Sequence, residues 1–160
     1  TEITFLEKKI EIKKEQYEKK DFYEIMTKIY GDKFKEELDK YVDLYLLDIK
    51  HIEDSGHKSL TGVTNKNTLA YAKWLDNRNK KMWIRHVLVP TITDDDSLLN
   101  KLSDFIKTLN NVEKVEVLPY HTMGIVKYEK MGLEYPLKDI EAPIKERVIN
   151  AKTILGVIKW

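Results

Sequence analysis

The stretch that decides the fold is residues 41–51, Tyr-Val-Asp-Leu-Tyr-Leu-Leu-Asp-Ile-Lys-His. It begins as a nearly continuous apolar run and ends in charge, with Asp48 and Lys50 two positions apart. Buried parallel strands have such apolar runs, and side chains at positions i and i+2 of a strand point to the same face. The stretch therefore predicts a buried strand that presents Asp48 and Lys50 together at its carboxyl end, where α/β barrels collect their polar chemistry.

Two later segments repeat this pattern. Residues 82–90 carry Arg85 inside an apolar run, and residues 115–121 end on His121. Lys50, Arg85 and His121 are 35 and 36 residues apart, and a βα unit takes about 30 residues or more. We therefore predict an α/β fold, a partial (β/α) barrel of about three consecutive βα units that brings Lys50, Arg85 and His121 to one edge.

Composition sets the broad class. The chain has 160 residues, 42% of them hydrophobic, which fits one domain with a real core. A net charge of +1 gives no general attraction to nucleic acid or to a membrane. There is no apolar run of about 20 residues and no signal peptide, so we expect a cytoplasmic protein. With no cysteine, these residues cannot form disulfides or thiolate metal sites, or ligate an iron–sulfur cluster through sulfur.

The first 40 residues differ from the rest, since 21 of them are charged. Their pattern predicts a short strand at 3–5 and helices over 6–20, 22–30 and 32–40, as a solvated helical layer. We therefore divide the chain into a charged N-terminal segment, 1–40, and a half-barrel, 41–160. In the second part we predict helices over 64–77, directly after 93–97 and over 144–154. Residues 52–62 read as a loop with one helical turn, 122–137 as a short helix with loops, and 157–158 as a last strand.

The charged residues of the predicted edge have functional and structural interpretations. Lys50 and Arg85 suit a carboxylate or phosphate ligand. Asp48 could pair with Lys50, orient it, or bind a small cation, and His121 could hydrogen-bond a ribose or adenine or act as a base. Internal ion pairs and a structural histidine are the alternatives. The acidic residues at 94–96 favour capping of the following helix over a metal site.

The same stretches carry a family resemblance that extends from residue 41 to about residue 154. The chain resembles the C-terminal part of the pyruvate formate-lyase activating enzymes, which are radical S-adenosylmethionine proteins. Order and spacing agree over the following segments: Val-Asp-Leu-Tyr-Leu-Leu-Asp-Ile-Lys-His (42–51), Leu-Thr-Gly-Val-Thr-Asn (60–65), Trp-Ile-Arg-His-Val-Leu-Val-Pro (83–90), Asp-Asp-Asp (94–96), Asn-Val-Glu-Lys-Val-Glu-Val-Leu-Pro-Tyr-His (111–121) and Gly-Ile-Val-Lys-Tyr-Glu-Lys-Met-Gly (124–132).

The resemblance implies a partial barrel of the radical S-adenosylmethionine type. In that family S-adenosylmethionine is cleaved at a [4Fe–4S] cluster, and a hydrogen is abstracted from a glycine of a partner glycyl radical enzyme. Asp48, Lys50, Arg85 and His121 fall on family positions around S-adenosylmethionine, and Asp48 on a monovalent-cation site. Thr91 stands where the family commonly has glycine.

The departures lie upstream of residue 41. The Cys-x-x-x-Cys-x-x-Cys cluster motif and the Gly-Gly-Glu of the family are absent, and residues 6–40 match no part of it. We therefore expect an activating-enzyme-like domain that is not catalytic alone. The alternative is an interaction module that docks on a glycyl radical enzyme such as formate-lyase, complements a cluster-bearing half or forms a homo-oligomer. A cluster-free S-adenosylmethionine-dependent transferase is a third, weaker hypothesis, because no acceptor site is evident.

Overall fold

A computed structural model describes Glu36 and residues 39–157 of the chain. Three parallel strands form one sheet in the order β1-β2-β3. They are β1 (Leu44–Asp48), β2 (Lys81–Leu88) and β3 (Val112–Pro119). The helices in this part of the chain are α1 (Asp54–Thr61), α2 (Lys66–Asn77), α3 (Asp96–Lys107), α4 (Ile125–Lys130) and α5 (Lys145–Ile154). The predicted α/β architecture of three consecutive strand–helix units is confirmed.

Local differences from the sequence predictions have physical causes. Within residues 52–62 the chain forms the eight-residue helix α1, Asp54–Thr61, which is followed by Gly62 in the left-handed conformation with φ 77°. Gly56 inside this helix lowers its intrinsic propensity, so the sequence pattern alone indicated a loop. Val157 lies in a bend rather than in the predicted last strand, and residue 158 lies outside the described residues. The strand and helices predicted before residue 36 lie outside them as well.

Strand register explains how the sheet is assembled. Asp48 of β1 is the register partner of Arg85 in β2, and Arg85 is the partner of Glu116 in β3. Near the start of β3 the register skips one residue, because Met82 pairs with Val112 while Trp83 pairs with Lys114. The extra residue between these pairs makes a β-bulge, which bends the strand locally.

The two faces of the sheet have different environments. Met82, Ile84 and Leu88 point from β2 into a core that helices α2, α3 and α5 cover. The opposite face, which we call the open face, carries Leu46, Asp48, Trp83, Arg85, Glu116 and Leu118. Leu46 is 50% exposed and Leu118 is 37% exposed. The apolar run of β1 predicted burial on both faces, but within residues 39–157 only one face is covered.

Asp76 fixes the turn that leads into β3. Its carboxylate, at the end of α2, accepts hydrogen bonds from the backbone N–H groups of Asn110 and Asn111 at 2.6 and 2.8 Å. The side-chain amides of both asparagines add bonds at 3.1 Å. Burial alone would raise the pKa of Asp76, but these donors outweigh it and hold the pKa below its usual value. The carboxylate thereby sets where β3 begins.

Asp39 joins the segment before β1 to the body of the domain. Its buried carboxylate pairs with Arg78 at 2.9 Å and with Lys80 at 3.1 Å. The Tyr45 hydroxyl donates to the same carboxylate at 3.4 Å. Arg78 lies 4.9 Å from the centre of the Trp74 ring, which adds a cation–π contact on α2. The predicted boundary between segments 1–40 and 41–160 stays a prediction, and Asp39 makes its contacts with residues on the later side of it.

Helices α3 and α5 are joined at the acidic cluster. Asp95 precedes α3 and accepts a hydrogen bond from the backbone N–H of Ser97 at 2.8 Å, which is the predicted capping role. Asp96 accepts bonds from Arg147 at 2.9 Å and from Asn150 at 2.8 Å, both on α5. Arg147 also donates to the backbone carbonyl of Asp94.

Among the helices of residues 39–157, none combines the length and apolar character needed to cross a bilayer.

Candidate ligand site at the carboxyl edge

The site is built where β1 ends beside β2. Asp48 is the last residue of β1 and faces the same side of the sheet as Arg85, its register partner. The backbone N–H of Ile49 donates to the carbonyl of Arg85 at 3.0 Å, which continues the parallel pairing past the end of β1. This pairing fixes the two side chains against each other, and Lys50 follows two positions after Asp48.

Asp48, Lys50 and Arg85 form an ion-paired group that we call the Asp48 triad. Lys50 Nζ donates to Asp48 Oδ2 at 2.8 Å, and Arg85 Nε donates to Asp48 Oδ1 at 2.7 Å. All three side chains are partly exposed. Burial acts to raise the pKa of Asp48, but the bonds and positive charges of Lys50 and Arg85 prevail and lower it. The predicted pairing of Asp48 with Lys50 is therefore present, and it includes Arg85.

The triad carries a surplus of positive charge. Two cations share one carboxylate, and both carboxylate oxygens already accept a bond. An ammonium has three donor hydrogens and a guanidinium has five, so Lys50 and Arg85 keep donors for a further acceptor. An anionic group such as a carboxylate suits these remaining donors. A monovalent cation at Asp48 would have to share the carboxylate oxygens with both cationic side chains.

His121 lies beyond the end of β3, at the carboxyl edge of the sheet. It is exposed and has an extended backbone directly before the 3₁₀ turn Thr122–Gly124. Glu116, the partner of Arg85, precedes it by five residues. The neighbouring Tyr120 donates its backbone N–H to the carbonyl of Leu88 at 3.1 Å, which ties this loop to the end of β2. The role of His121 in the site stays a prediction.

The other three histidines are buried and hydrogen-bonded to backbone groups. His57 Nδ1 is 2.9 Å from the carbonyl oxygen of Val63, and His86 Nδ1 is 2.8 Å from that of Ile49. Burial lowers the pKa of His86 despite its contacts with backbone carbonyls. His51 Nδ1 accepts from the backbone N–H of Glu53 at 3.0 Å and packs against Gly56. No functional role was predicted for them, and these contacts are structural.

Three open-face residues were missed by the sequence interpretation. Glu116 stands in the same cross-strand row as Asp48 and Arg85. Its carboxylate pairs with Lys114 at 2.5 Å, and the Lys114 ammonium lies 4.5 Å from the centre of the Trp83 ring. The even spacing of Lys114 and Glu116 within one strand indicates a shared face. Which face that is depends on the register with β2, which a single sequence does not specify.

The fold is shared with solved structures. A domain of a pyruvate-formate lyase-activating enzyme from Bacteroides vulgatus superimposes with a TM-score of 0.66 at 19% identity, over 82% of this chain and 73% of that one. A radical SAM methyltransferase from Sphaerobacter thermophilus gives a TM-score of 0.53 at 16% identity, over 70% of this chain and 30% of that one. Together with the three-stranded parallel sheet, these likenesses show the fold, an α/β domain consistent with part of a barrel.

Sequence comparison identifies the relatives. The pyruvate formate-lyase-activating enzyme of Clostridium pasteurianum is 51% identical over 123 residues, 77% of this chain and 52% of the relative. That of Streptococcus mutans is 48% identical over 129 residues, 81% of this chain and 49% of the relative. No family model matches the chain. Over 77–81% of its length the chain is similar to pyruvate formate-lyase-activating enzymes, and it spans about half the length of the curated relatives it matches.

Proposed function

We propose that this chain provides the S-adenosylmethionine-contacting strands of a pyruvate formate-lyase-activating enzyme. The observation that carries the proposal is the Asp48 triad at the carboxyl edge of the sheet, with its surplus positive charge. Lys50 and Arg85 would hold the carboxylate of the methionine part, while Asp48 holds both cations in place. His121, on the loop after β3, would contact the ribose or the adenine. When bound, S-adenosylmethionine supplies the deoxyadenosyl group that the family uses for hydrogen abstraction.

The residues present fit S-adenosylmethionine but do not fit an iron–sulfur cluster. The triad offers unused N–H donors to an anion, whereas the 160 residues contain no cysteine for a thiolate ligand. We therefore propose that residues outside this sequence hold the cluster. Generation of a glycyl radical on pyruvate formate-lyase would require that further part, and this chain alone would bind without turning over.

Calorimetric titration with S-adenosylmethionine tests the proposal. We expect saturable binding to the wild-type chain and a loss of affinity of about tenfold or more in Lys50→Ala, because a charge-assisted hydrogen bond contributes about 1.5–3 kcal/mol. His121→Ala is expected to bind more weakly as well. Lys138→Ala is the matched control, since Lys138 pairs with Glu134 on an exposed surface, and it should bind like the wild type. No heat from a folded wild-type chain would contradict the proposal.

A second candidate function is an interaction module, favoured by the edge of β1. In the described residues β1 pairs with β2 alone, and Leu46 on its open face is half exposed. An unpaired parallel edge favours addition of another strand. The partner would be a cluster-bearing half, a second copy of this chain, or a glycyl radical enzyme. The test is size-exclusion chromatography of the chain mixed with pyruvate formate-lyase, and separately with the other half of an activating enzyme. Co-elution with one of these partners is expected. Separate elution from both at micromolar concentration would contradict this candidate.

A further inference from the structure

The open face contains a second carboxylate beside Arg85. Asp48, Arg85 and Glu116 form one row across the three strands, in the order acid, base, acid. Neighbouring strands are about 4.8 Å apart, so Arg85 stands between the two acids. This row continues the site from the edge of the sheet at β1 to β3.

The two carboxylates have different partners. Asp48 accepts through both oxygens, from Lys50 and from Arg85. Glu116 accepts through Oε1 from Lys114 at 2.5 Å, and no described residue donates to its Oε2. The Glu116 side chain is 26% exposed, so its carboxylate is partly accessible on the open face. The Lys114 ammonium stays over the Trp83 ring, one row further from the carboxyl edge.

The charges are therefore distributed unevenly along this row. The side of the Asp48 triad has one more positive than negative charge, while on the other side of Arg85 the Glu116 carboxylate is balanced by Lys114 alone and has one oxygen without a described donor. A ligand with a carboxylate at one end and a positive charge further along complements both sides. S-adenosylmethionine has that distribution, because its sulfonium is permanently charged, whereas the thioether of S-adenosylhomocysteine is neutral.

We infer that Glu116 is a specificity-determining residue of this site, whose carboxylate favours the sulfonium of S-adenosylmethionine over the neutral thioether of S-adenosylhomocysteine. The inference rests on the proposed function, since it concerns the same ligand. It assigns to the triad the recognition of the carboxylate, which both compounds share, and to Glu116 the recognition of the charge in which they differ. A partly exposed charge interaction of this kind is worth a factor of about three to ten in affinity.

The test compares both ligands by calorimetry in the wild-type chain, Glu116→Gln, Glu116→Asp and Glu113→Gln. Glu113 is the matched control, because it lies on the same strand and pairs with Lys81 at 2.7 Å, at the far end of the sheet. We expect Glu116→Gln to weaken S-adenosylmethionine about three- to tenfold and to leave S-adenosylhomocysteine nearly unchanged. Glu116→Asp, which keeps the charge, should retain the preference, and Glu113→Gln should bind both ligands like the wild type.

Each outcome decides between the two proposals. If the wild type binds S-adenosylmethionine and its preference is the same in Glu116→Gln, the role of Glu116 is overturned while the proposed function stands. If Glu116→Gln does not fold, loss of the preference in the folded Glu116→Asp variant overturns the inference, because that variant retains the charge. If the folded wild type binds neither compound, the proposed function fails and this inference fails with it.

Discussion

Single residues determine several features of this domain, and Asp76 holds the turn that leads into β3. Asp76→Asn replaces a charged acceptor of four N–H donors with an amide that can satisfy fewer of them. We expect a loss of about 2 kcal/mol in the free energy of unfolding at pH 7, measured by urea denaturation. Because the folded pKa of Asp76 is lowered, its contribution is present above about pH 4 and disappears as the pH falls through the folded value.

The wild type and Asp76→Asn should therefore converge in stability at acidic pH. Asp104→Asn is the control, since Asp104 pairs with Lys107 on the exposed side of α3, and it should be neutral. A difference between the wild type and Asp76→Asn that persists unchanged at pH 2.5 would contradict this assignment.

Thr91 stands at a position where the family commonly has glycine, and its backbone is strained there. It has φ 64°, a left-handed conformation that is costly for a β-branched residue. Thr91→Gly should stabilise the fold, because relief of about 1–2 kcal/mol exceeds the added entropy of the unfolded chain. Asn79, with φ 56°, provides the control. Asparagine tolerates this region, so Asn79→Gly should change the melting temperature less, and equal shifts would contradict the strain argument.

At the scale of elements, helix α1 depends on a close approach to His51. A Cβ added at Gly56 would lie 2.3 Å from the imidazole, nearer than packing allows. Gly56→Ala should therefore lower stability by about 1–3 kcal/mol through overpacking, although alanine favours helices by about 1 kcal/mol. Ser59→Ala, on an exposed position of α1, should not destabilise. The double variant His51→Ala/Gly56→Ala should recover part of the loss, and failure to do so would locate the clash elsewhere.

The strands and helices also show which features could be predicted from the sequence alone. The apolar runs predicted all three strands, because a parallel strand in a core must be apolar. The sequence pattern predicted only one helical turn where α1 forms, because Gly56 lowers the local helix propensity and its contact with His51 is tertiary. The pairing of Asp48 with Lys50 followed from their spacing, whereas the Asp48–Arg85 pair was not predicted. Glu116 was missed, because its position beside Arg85 depends on register and on the bulge in β3.

At the scale of the whole molecule, Asp39 links the start of the described domain to α2 and to the loop before β2. Asp39→Asn would leave Arg78 and Lys80 without their anionic partner. We expect a loss of about 2 kcal/mol, less than for a fully buried pair because both cations are partly exposed. Urea midpoints at low and high salt provide the measurement. An exposed pair, probed by Glu134→Gln, should show no loss, and an Asp39→Asn midpoint equal to that of the wild type would place the domain boundary after residue 39.

The bulge in β3 has a consequence for how this strand can change in length. Side chains alternate between faces, so removing a residue from a regular strand exchanges the buried and exposed sets on one side of the cut. Glu113 is the extra residue between the pairs Met82–Val112 and Trp83–Lys114. Its deletion would make the ladder regular and leave Lys114, Glu116 and Leu118 on the open face. Deletion of Glu113 would remove the ion pair with Lys81 but leave the site on the open face. Deletion of Val115, two positions later, would instead move Glu116 and Leu118 to the core face.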